Sequence, residues 1–564
     1  MINFKEEIAK ILKNELTLSL EDILKMIEVP QDSKMGDYAF PCFRLAKEMQ
    51  KAPNLIASDI ANSIKDNVLF DDVVQVNAYV NMFLSKDVFL KDALNSAIDM
   101  GDDYGRSNYG EGRPVIVEYS SPNIAKPFHI GHIRSTVIGN SLYKIYDKIG
   151  YKVTRINHLG DYGTQFGKMI VAYRKWGNED DVKREPIKTL LSYYTKFHVE
   201  AESDPSLEEE ARLTFVKLEK GEKEEVRLWK WFREESLKEF NRVYDMLGIS
   251  FDSYNGESFY SDKMPYIIEE LKNKNLLVES RGAQIVDLEP YGLTACPIIK
   301  SDGSSLYITR DLAAAKYRKE TYNFDKCIYV VASQQNLHFQ QLKKIIELMG
   351  YEWNKDIVHV PFGLVSLEEG TMSTRHGRVV FLEDVLNNAI EKTKEIIIEK
   401  GVNTDSIDDT AKKIGIGAVV FNELSNSKIK DYVFSWNKVL DFNGETGPYV
   451  QYTYARCASI IRNAEGVLPK VNTKYLKGDS AFELSRLIYD FPNVIIDAAE
   501  KYEPSIVTRH IVNIAEAFNR FYHDEHILVD NEEEKASKLS LVVATMNTIK
   551  SGLGLLGIET PERM

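Results

Sequence analysis

Apolar positions along the 564-residue chain change period several times, and each change marks a different element. Ile2, Phe4, Ile8, Ile11, Leu12 and Leu16 recur at helical spacing among Lys and Glu, which predicts an N-terminal amphipathic helix. A second helix over 43–64 and a strand pair around 73–84 follow, closing at the Gly-rich stretch 101–105. Residues 1–110 therefore read as a small α+β unit. The apolar, β-branched stretch 114–119 predicts a strand. A turn at 120–123, helical periodicity over 130–149 with Gly150 as C-cap, and a further strand at 152–157 complete the order strand, loop, helix, strand. That is the order of a nucleotide-binding α/β sheet.

From 181 to 247 the pattern is charged and helical, an insertion between sheet halves. Strand signals return at 306–308, 327–331 and 357–364, so one α/β domain is expected over 111–370. After a connecting region, 371–437, helical periodicity over 450–462, 481–501, 506–521 and 533–555 predicts an all-α helix bundle at 438–564.

Charge narrows the function. With 71 Lys and Arg against 85 Asp and Glu the chain carries −14, and residues 1–110 and 438–564 are each acidic on balance. This argues against a nonspecific polyanion binder, and any nucleic-acid surface must be patterned locally. Cys42, Cys296, Cys327 and Cys457 form no CxxC pair, so neither a disulfide framework nor a cysteine zinc site is indicated. The first helix lacks the unbroken apolar core of a signal peptide, and no 18-residue apolar run follows. A cytoplasmic protein without a membrane span is expected.

The most informative stretch is 118–132, Glu-Tyr-Ser-Ser-Pro-Asn-Ile-Ala-Lys-Pro-Phe-His-Ile-Gly-His, between a predicted strand and a predicted helix. His129 and His132 fall at the helix start, where backbone donors and the dipole favour anions, and Gly131 lets the backbone approach; a nucleotide phosphate fits. Capping histidines, or half of a metal site, are the competing readings. Glu118 at one strand end and Asp311 after another bring two carboxylates toward one pocket, as a cationic side chain requires. Asp311 also reads as a helix N-cap. The polar run 333–338 leaves a strand at its carboxyl end, where open sheets bind ligands.

This context resembles arginyl-tRNA synthetase, a class I aminoacyl-tRNA synthetase family. Similar blocks occur in order along the chain: 157–167, Tyr-Ile-Thr-Arg-Asp at 307–311, Ser-Gln-Gln-Asn-Leu-His at 333–338, Met-Ser-Thr-Arg-His-Gly at 372–377, 447–456 and the ending 557–564. The resemblance implies a Rossmann-type catalytic domain flanked by a small N-terminal domain contacting the tRNA D-loop and a helical anticodon-binding domain. It implies ligation of arginine to its tRNA through arginyl-adenylate, with Mg²⁺ entering on ATP, no zinc and a monomeric chain. Glu118, Tyr307 and Asp311 would read the guanidinium, and Asn123 and Gln335 the amino and carboxylate groups. His129, Gly131, His132, His338, Met372, Ser373 and His376 would hold ATP.

The family's second signature carries two lysines, and here Thr371 and Thr374 stand in both positions. Lys126 occupies the place of a lysine thought to substitute in some members, with Arg375 assisting; a solvated loop cation is its bland reading. Tyr449, Gln451 and Arg456 supply groups for unpaired bases, although Tyr449 and Tyr452 at i, i+3 also read as a core stripe. The rivals are another class I synthetase, or a noncatalytic tRNA-binding paralogue.

Overall fold

The computed structural model describes residues 2–300, 307–367, 380–401, 404–441 and 444–564. The chain divides into two compact units: Met1–Tyr104 with Arg456–Phe491 and Asn513–Ile549, and Gly105–Ala455 with Pro492–Val512 and Lys550–Met564.

In the first unit the N-terminal helix is Phe4–Glu15, capped by Asn3, whose side chain accepts from Glu6 N–H. Its apolar face, Phe4, Ile8 and Leu12, packs with Ile56 and Ile60 of the helix Pro53–Ile64 and with Val80 and Met82. These last lie on an antiparallel sheet of β1 (Tyr38–Pro41), β2 (Phe70–Val76) and β3 (Tyr79–Leu84), in the order β1-β3-β2. The helix expected over 43–64 is broken. Gln50 takes φ +48° and Ala52 is extended, because Pro53 disfavours helical backbone in the residue before it. A helix at Lys86–Met100 completes the N-terminal part of the unit.

The second unit is built on β4 (Pro114–Glu118), β5 (Lys152–Ile156), β9 (Lys326–Ala332) and β10 (Ile357–Phe362), all parallel, in the order β10-β9-β4-β5. The expected insertion is helical, with Pro186–Ser203, Ser206–Glu219 and Lys223–Met246 as its longest helices. A small antiparallel sheet of β6 (Leu277–Ser280), β7 (Ala283–Val286) and β8 (Cys296–Ile299) had no clear periodic signal. The strand expected at 306–308 is corrected: Tyr307 and Ile308 open the helix Tyr307–Tyr322, whose following Ala, Lys and Arg residues are strong helix formers. Short strands β11 (Val365–Leu367) and β12 (Tyr432–Phe434) pair in parallel. The C-terminal region, whose helices are divided between the two units, forms Gly447–Arg462, Asp479–Glu500, Ser505–Asp524 and Glu532–Leu555, close to the expected helical spans. Among the described residues no helix is long and apolar enough to cross a membrane.

Gly150 ends the helix Ile133–Lys148 at φ +89°, and a Cβ there would lie 2.8 Å from the Ser107 carbonyl oxygen. Left-handed backbone costs an L-residue about 1–2 kcal/mol before that clash. Gly150→Ala is expected to lower Tm by at least that equivalent in thermal unfolding; an unchanged Tm contradicts the cap.

Candidate active site

Because β4, β5 and β9 are parallel, their carboxyl ends open onto one edge, and the loops leaving them carry most of the chemistry found in the sequence. The loop after β4 is strained, with positive φ at Ser120 (+70°), Ser121 (+47°) and Ala125 (+58°). Buried hydrogen bonds hold it. Ser120 N–H donates to Ser135 Oγ (3.0 Å), Ser120 Oγ meets Thr136 Oγ1 (2.9 Å) and the Tyr244 hydroxyl (2.7 Å), and Ala125 N–H donates to Ser236 Oγ (3.0 Å). Asn123 bridges to Gly160 after β5, and a Cβ at Gly160 would fall 2.2 Å from Asn123 Oδ1, so any side chain there would have to displace the Asn123 amide.

The loop delivers His129 and His132 to a short 3₁₀ turn, Ile130–His132, that runs into the helix Ile133–Lys148. Gly131 N–H donates to His129 Nδ1 at 3.1 Å and His129 N–H to His132 Nδ1 at 3.2 Å, a reciprocal cap; the His129 carbonyl lies 3.3 Å from the latter nitrogen. Burial lowers His129 to about 4, and burial with the nearby His129 and Lys126 lowers His132 to about 3. Both rings are thus neutral, with Nδ1 accepting and the proton on Nε2, so they offer two N–H donors rather than two cations. The capping reading is met through Nδ1 of each ring, and the cap does not engage either Nε2. Gly131 N–H is already used.

Asp311 lies in the second turn of the helix Tyr307–Tyr322, which removes the N-cap reading. His338 Nε2 lies 2.7 Å from its carboxylate. Burial is the largest single influence and opposes the charge on both groups, but their hydrogen bond and Coulombic attraction together, with His158 and Arg318 adding at Asp311, outweigh it, raising His338 and lowering Asp311. Two turns on, the same helix carries Arg318, fully buried and ion-paired with Glu118. Arg318 also donates to His158 Nδ1 (3.2 Å).

The expectation that Glu118 and Asp311 stand as two open carboxylates is therefore corrected: Glu118 is committed to Arg318, and Asp311 is paired with His338. Sequence reasoning missed Arg318, although an arginine seven residues beyond Asp311 falls on the same helix face. It also missed Glu257, which pairs with Arg310 at 2.9 Å and is pushed by burial to about 7. Electrostatic influence links these groups, from Lys126 to His132 and Glu257, and from Glu257 to Asp311.

The remaining predicted residues divide. Lys126 is half-buried; Asn123 and Gln335 are exposed at the sheet edge; Tyr307 is 65% exposed with its ring against Arg310. Asp161, within the motif block 157–167, is a structural anchor bound by Arg233 and Ser258. Thr371, Met372, Ser373, Thr374, Arg375 and His376 lie outside the described residues. Gln451 is fully buried and donates to the Lys413 and Glu559 carbonyls, so it is corrected from a base contact to a core linker. Arg456 bonds Asn519 and covers the Tyr522 ring. Tyr452 is 40% exposed and Tyr449 half-exposed, contrary to a core stripe. Among the described residues no group of three or more His, Cys, Asp or Glu is placed to hold a metal, and the four cysteines are buried and unpaired.

Three family models match: tRNA synthetases class I (R), catalytic domain, at residues 94–436; DALR anticodon binding domain at 450–564; and arginyl tRNA synthetase N terminal domain at 3–84. Curated proteins named arginine--tRNA ligase from Clostridioides difficile and Halothermothrix orenii are 58% and 57% identical, each over all of both chains. The solved Thermus thermophilus arginyl-tRNA synthetase shares the fold with TM-score 0.78 and 24% identity, covering 99% of each chain.

The Asp311–His338 pair has a defined pH signature. The raised histidine contributes stability that is fully present below roughly 6.5 and lost as pH rises through its folded value; the lowered carboxyl contributes above roughly 3.9 and loses it as pH falls. Asp311→Asn is expected to destabilise most between those limits and to drop the His338 pKa below 6.5, since burial then acts unopposed. Ring-carbon NMR titration checks this; an unmoved His338 contradicts it.

Proposed function

Because the chain belongs to the arginyl-tRNA synthetase family, we propose that it is an arginine:tRNA ligase, activating arginine with ATP and transferring it to the terminal ribose of its tRNA. The observation that carries this reading is Asp311, a carboxylate kept ionised at the ligand edge of the sheet by a histidine that a guanidinium can replace. Tyr307 joins it at the guanidinium, Asn123 and Gln335 meet the amino and carboxylate groups, and Glu118 acts indirectly by holding Arg318.

Arginine's carboxylate attacks the α-phosphate, the bond to the pyrophosphate oxygen breaks, and the adenylate forms. The 3′-terminal ribose hydroxyl then attacks the adenylate carbonyl and releases AMP. His129 and His132 serve as neutral Nε2–H donors to the phosphates, so Lys126 must supply the cation beside them, with Arg375 and His376 from the second signature. His338, bound to Asp311, belongs to the arginine side of the pocket as much as to the ATP side. Mg²⁺ arrives on the ATP phosphates and needs no protein cage. The N-terminal unit contacts the tRNA D-loop, and the C-terminal helices, with Tyr449 and Arg456, the anticodon. The chain acts as a cytoplasmic monomer.

Arginine-dependent pyrophosphate release from ATP, run with and without tRNA, tests the reading. Release is expected only with tRNA, as the family resemblance implies. Release driven by a different amino acid points to another synthetase, and none under any condition to a noncatalytic paralogue. Lys126→Ala is expected to slow single-turnover adenylate formation by about 10²-fold, the usual cost of a lost charge stabiliser, with arginine binding little changed. An unaltered rate moves that role to Arg375 and His376.

A further inference from the structure

Two residues past His132, Arg134 is fully buried in the first turn of the helix that the histidines cap. Its guanidinium donates to the carbonyls of Gly363 (3.0 Å) and Lys430 (2.6 Å), with Ser427 at 3.4 Å, and lies 5.3 Å from the centre of the Tyr432 ring. Gly363 follows β10, and Ser427 and Lys430 precede β12. One side chain thus ties the histidine turn to two separate segments at the far end of the sheet. Glu423 faces it from the helix Ile407–Ser425. Arg134 Nε is 3.6 Å from Glu423 Oε2, and neither that nitrogen nor either carboxylate oxygen makes a hydrogen bond. Burial raises Glu423 to about 8, so near neutrality it sits beside the arginine mostly as a neutral acid.

Charge pairing with Glu423 does not explain this arrangement. Buried ion pairs are often replaced by apolar residues without loss, and here the pair is not even hydrogen-bonded. What a planar five-donor fork provides and an apolar side chain does not is a fixed angle between the backbone segments it joins. The backbone repeats the connection on the other side of the turn: Ile130 N–H donates to the Val380 carbonyl (3.1 Å) and Leu382 N–H to the Phe128 carbonyl (2.9 Å). The chain on both sides of 368–379, at Val365–Leu367 and again at 380–382, is therefore referred to the histidine turn.

Building on the proposed ligase reading, we infer that Arg134 is a positioning residue for adenylate formation: clamped on the Gly363, Ser427 and Lys430 carbonyls, it sets the rotation of the first helical turn and so aims the Nε2–H groups of His129 and His132. It touches no substrate. Its effect is on the alignment of donors at the phosphates, which matters to the transition state more than to ground-state binding.

The test uses the full chain and two readouts. Arg134→Lys keeps the charge but puts one ammonium where a fork spanned three carbonyls; Tyr432→Leu strips the ring from the guanidinium face and is the milder change. Ring-nitrogen NMR should show His129 and His132 as single Nε2–H tautomers in the wild type, and as mixed tautomers in Arg134→Lys with His132 titrating nearer to 6.5. Single-turnover adenylate formation should fall about 10²-fold in Arg134→Lys, as for an ångström-scale misplacement, and several-fold in Tyr432→Leu, with KM for ATP and arginine within about 3-fold. Histidine spectra identical to wild type in folded variants, or a rate that falls only with the folded fraction, overturn the inference. Should Arg134→Lys not fold, Tyr432→Leu decides it by the same criteria. The spectra need no substrate, so a wild-type chain that fails to activate arginine refutes the ligase reading and leaves this inference to the spectra.

Discussion

The buried ion pair between Glu118 and Arg318 is the constraint on which the site depends. A carboxylate at the end of a central strand has lost its water and requires a cation; removing either partner of such a pair typically costs about 3–5 kcal/mol. Arg318 meets that requirement from two turns along the helix that carries Asp311, so the pairing fixes the helix against β4 in both rotation and depth. Asp311 reaches the ligand edge and His338 because Arg318 is held below it. The same guanidinium engages His158 after β5, so a single arginine ties two strand ends to the helix between them.

Charge is accordingly balanced in the protein without ligand. Arg318 answers Glu118, His338 answers Asp311, and Arg310 answers Glu257. On the proposed reading an entering guanidinium competes with His338, the one partner of the three that is an imidazole and can lose its charge; arginine binding then tightens as pH rises through the histidine's raised pKa, with Glu257 adding in the same direction. On the phosphate side the histidines carry no charge. On the proposed reading their role is directional, and the cation comes from Lys126 and the second signature.

Much of this was legible in the sequence. Strands β4, β5 and β9, the helix after His132 and the C-terminal helices follow from apolar periodicity, and the site loops follow from strand ends and ordered motif blocks. The pairing of Glu118 was not legible, because an arginine on a helix does not announce which carboxylate it will meet across a sheet. Tyr307 and Ile308 read as strand because a short apolar run is ambiguous between the two periods. Gln451 read as a base contact because a polar residue among tyrosines gives no sign that two buried carbonyls await it. Arg134 was invisible for the same reason: its partners are backbone groups more than two hundred residues away.

The central claim is that Asp311 selects a delocalised cation. Isothermal titration of the wild type with arginine and with citrulline, its neutral isostere, tests this most directly, using tRNA-bound protein at pH 8. The account predicts that arginine binds at least about 10²-fold more tightly, the cost of leaving a desolvated carboxylate without a partner, and that Asp311→Asn removes most of the difference. Equal affinity for the two ligands would contradict it.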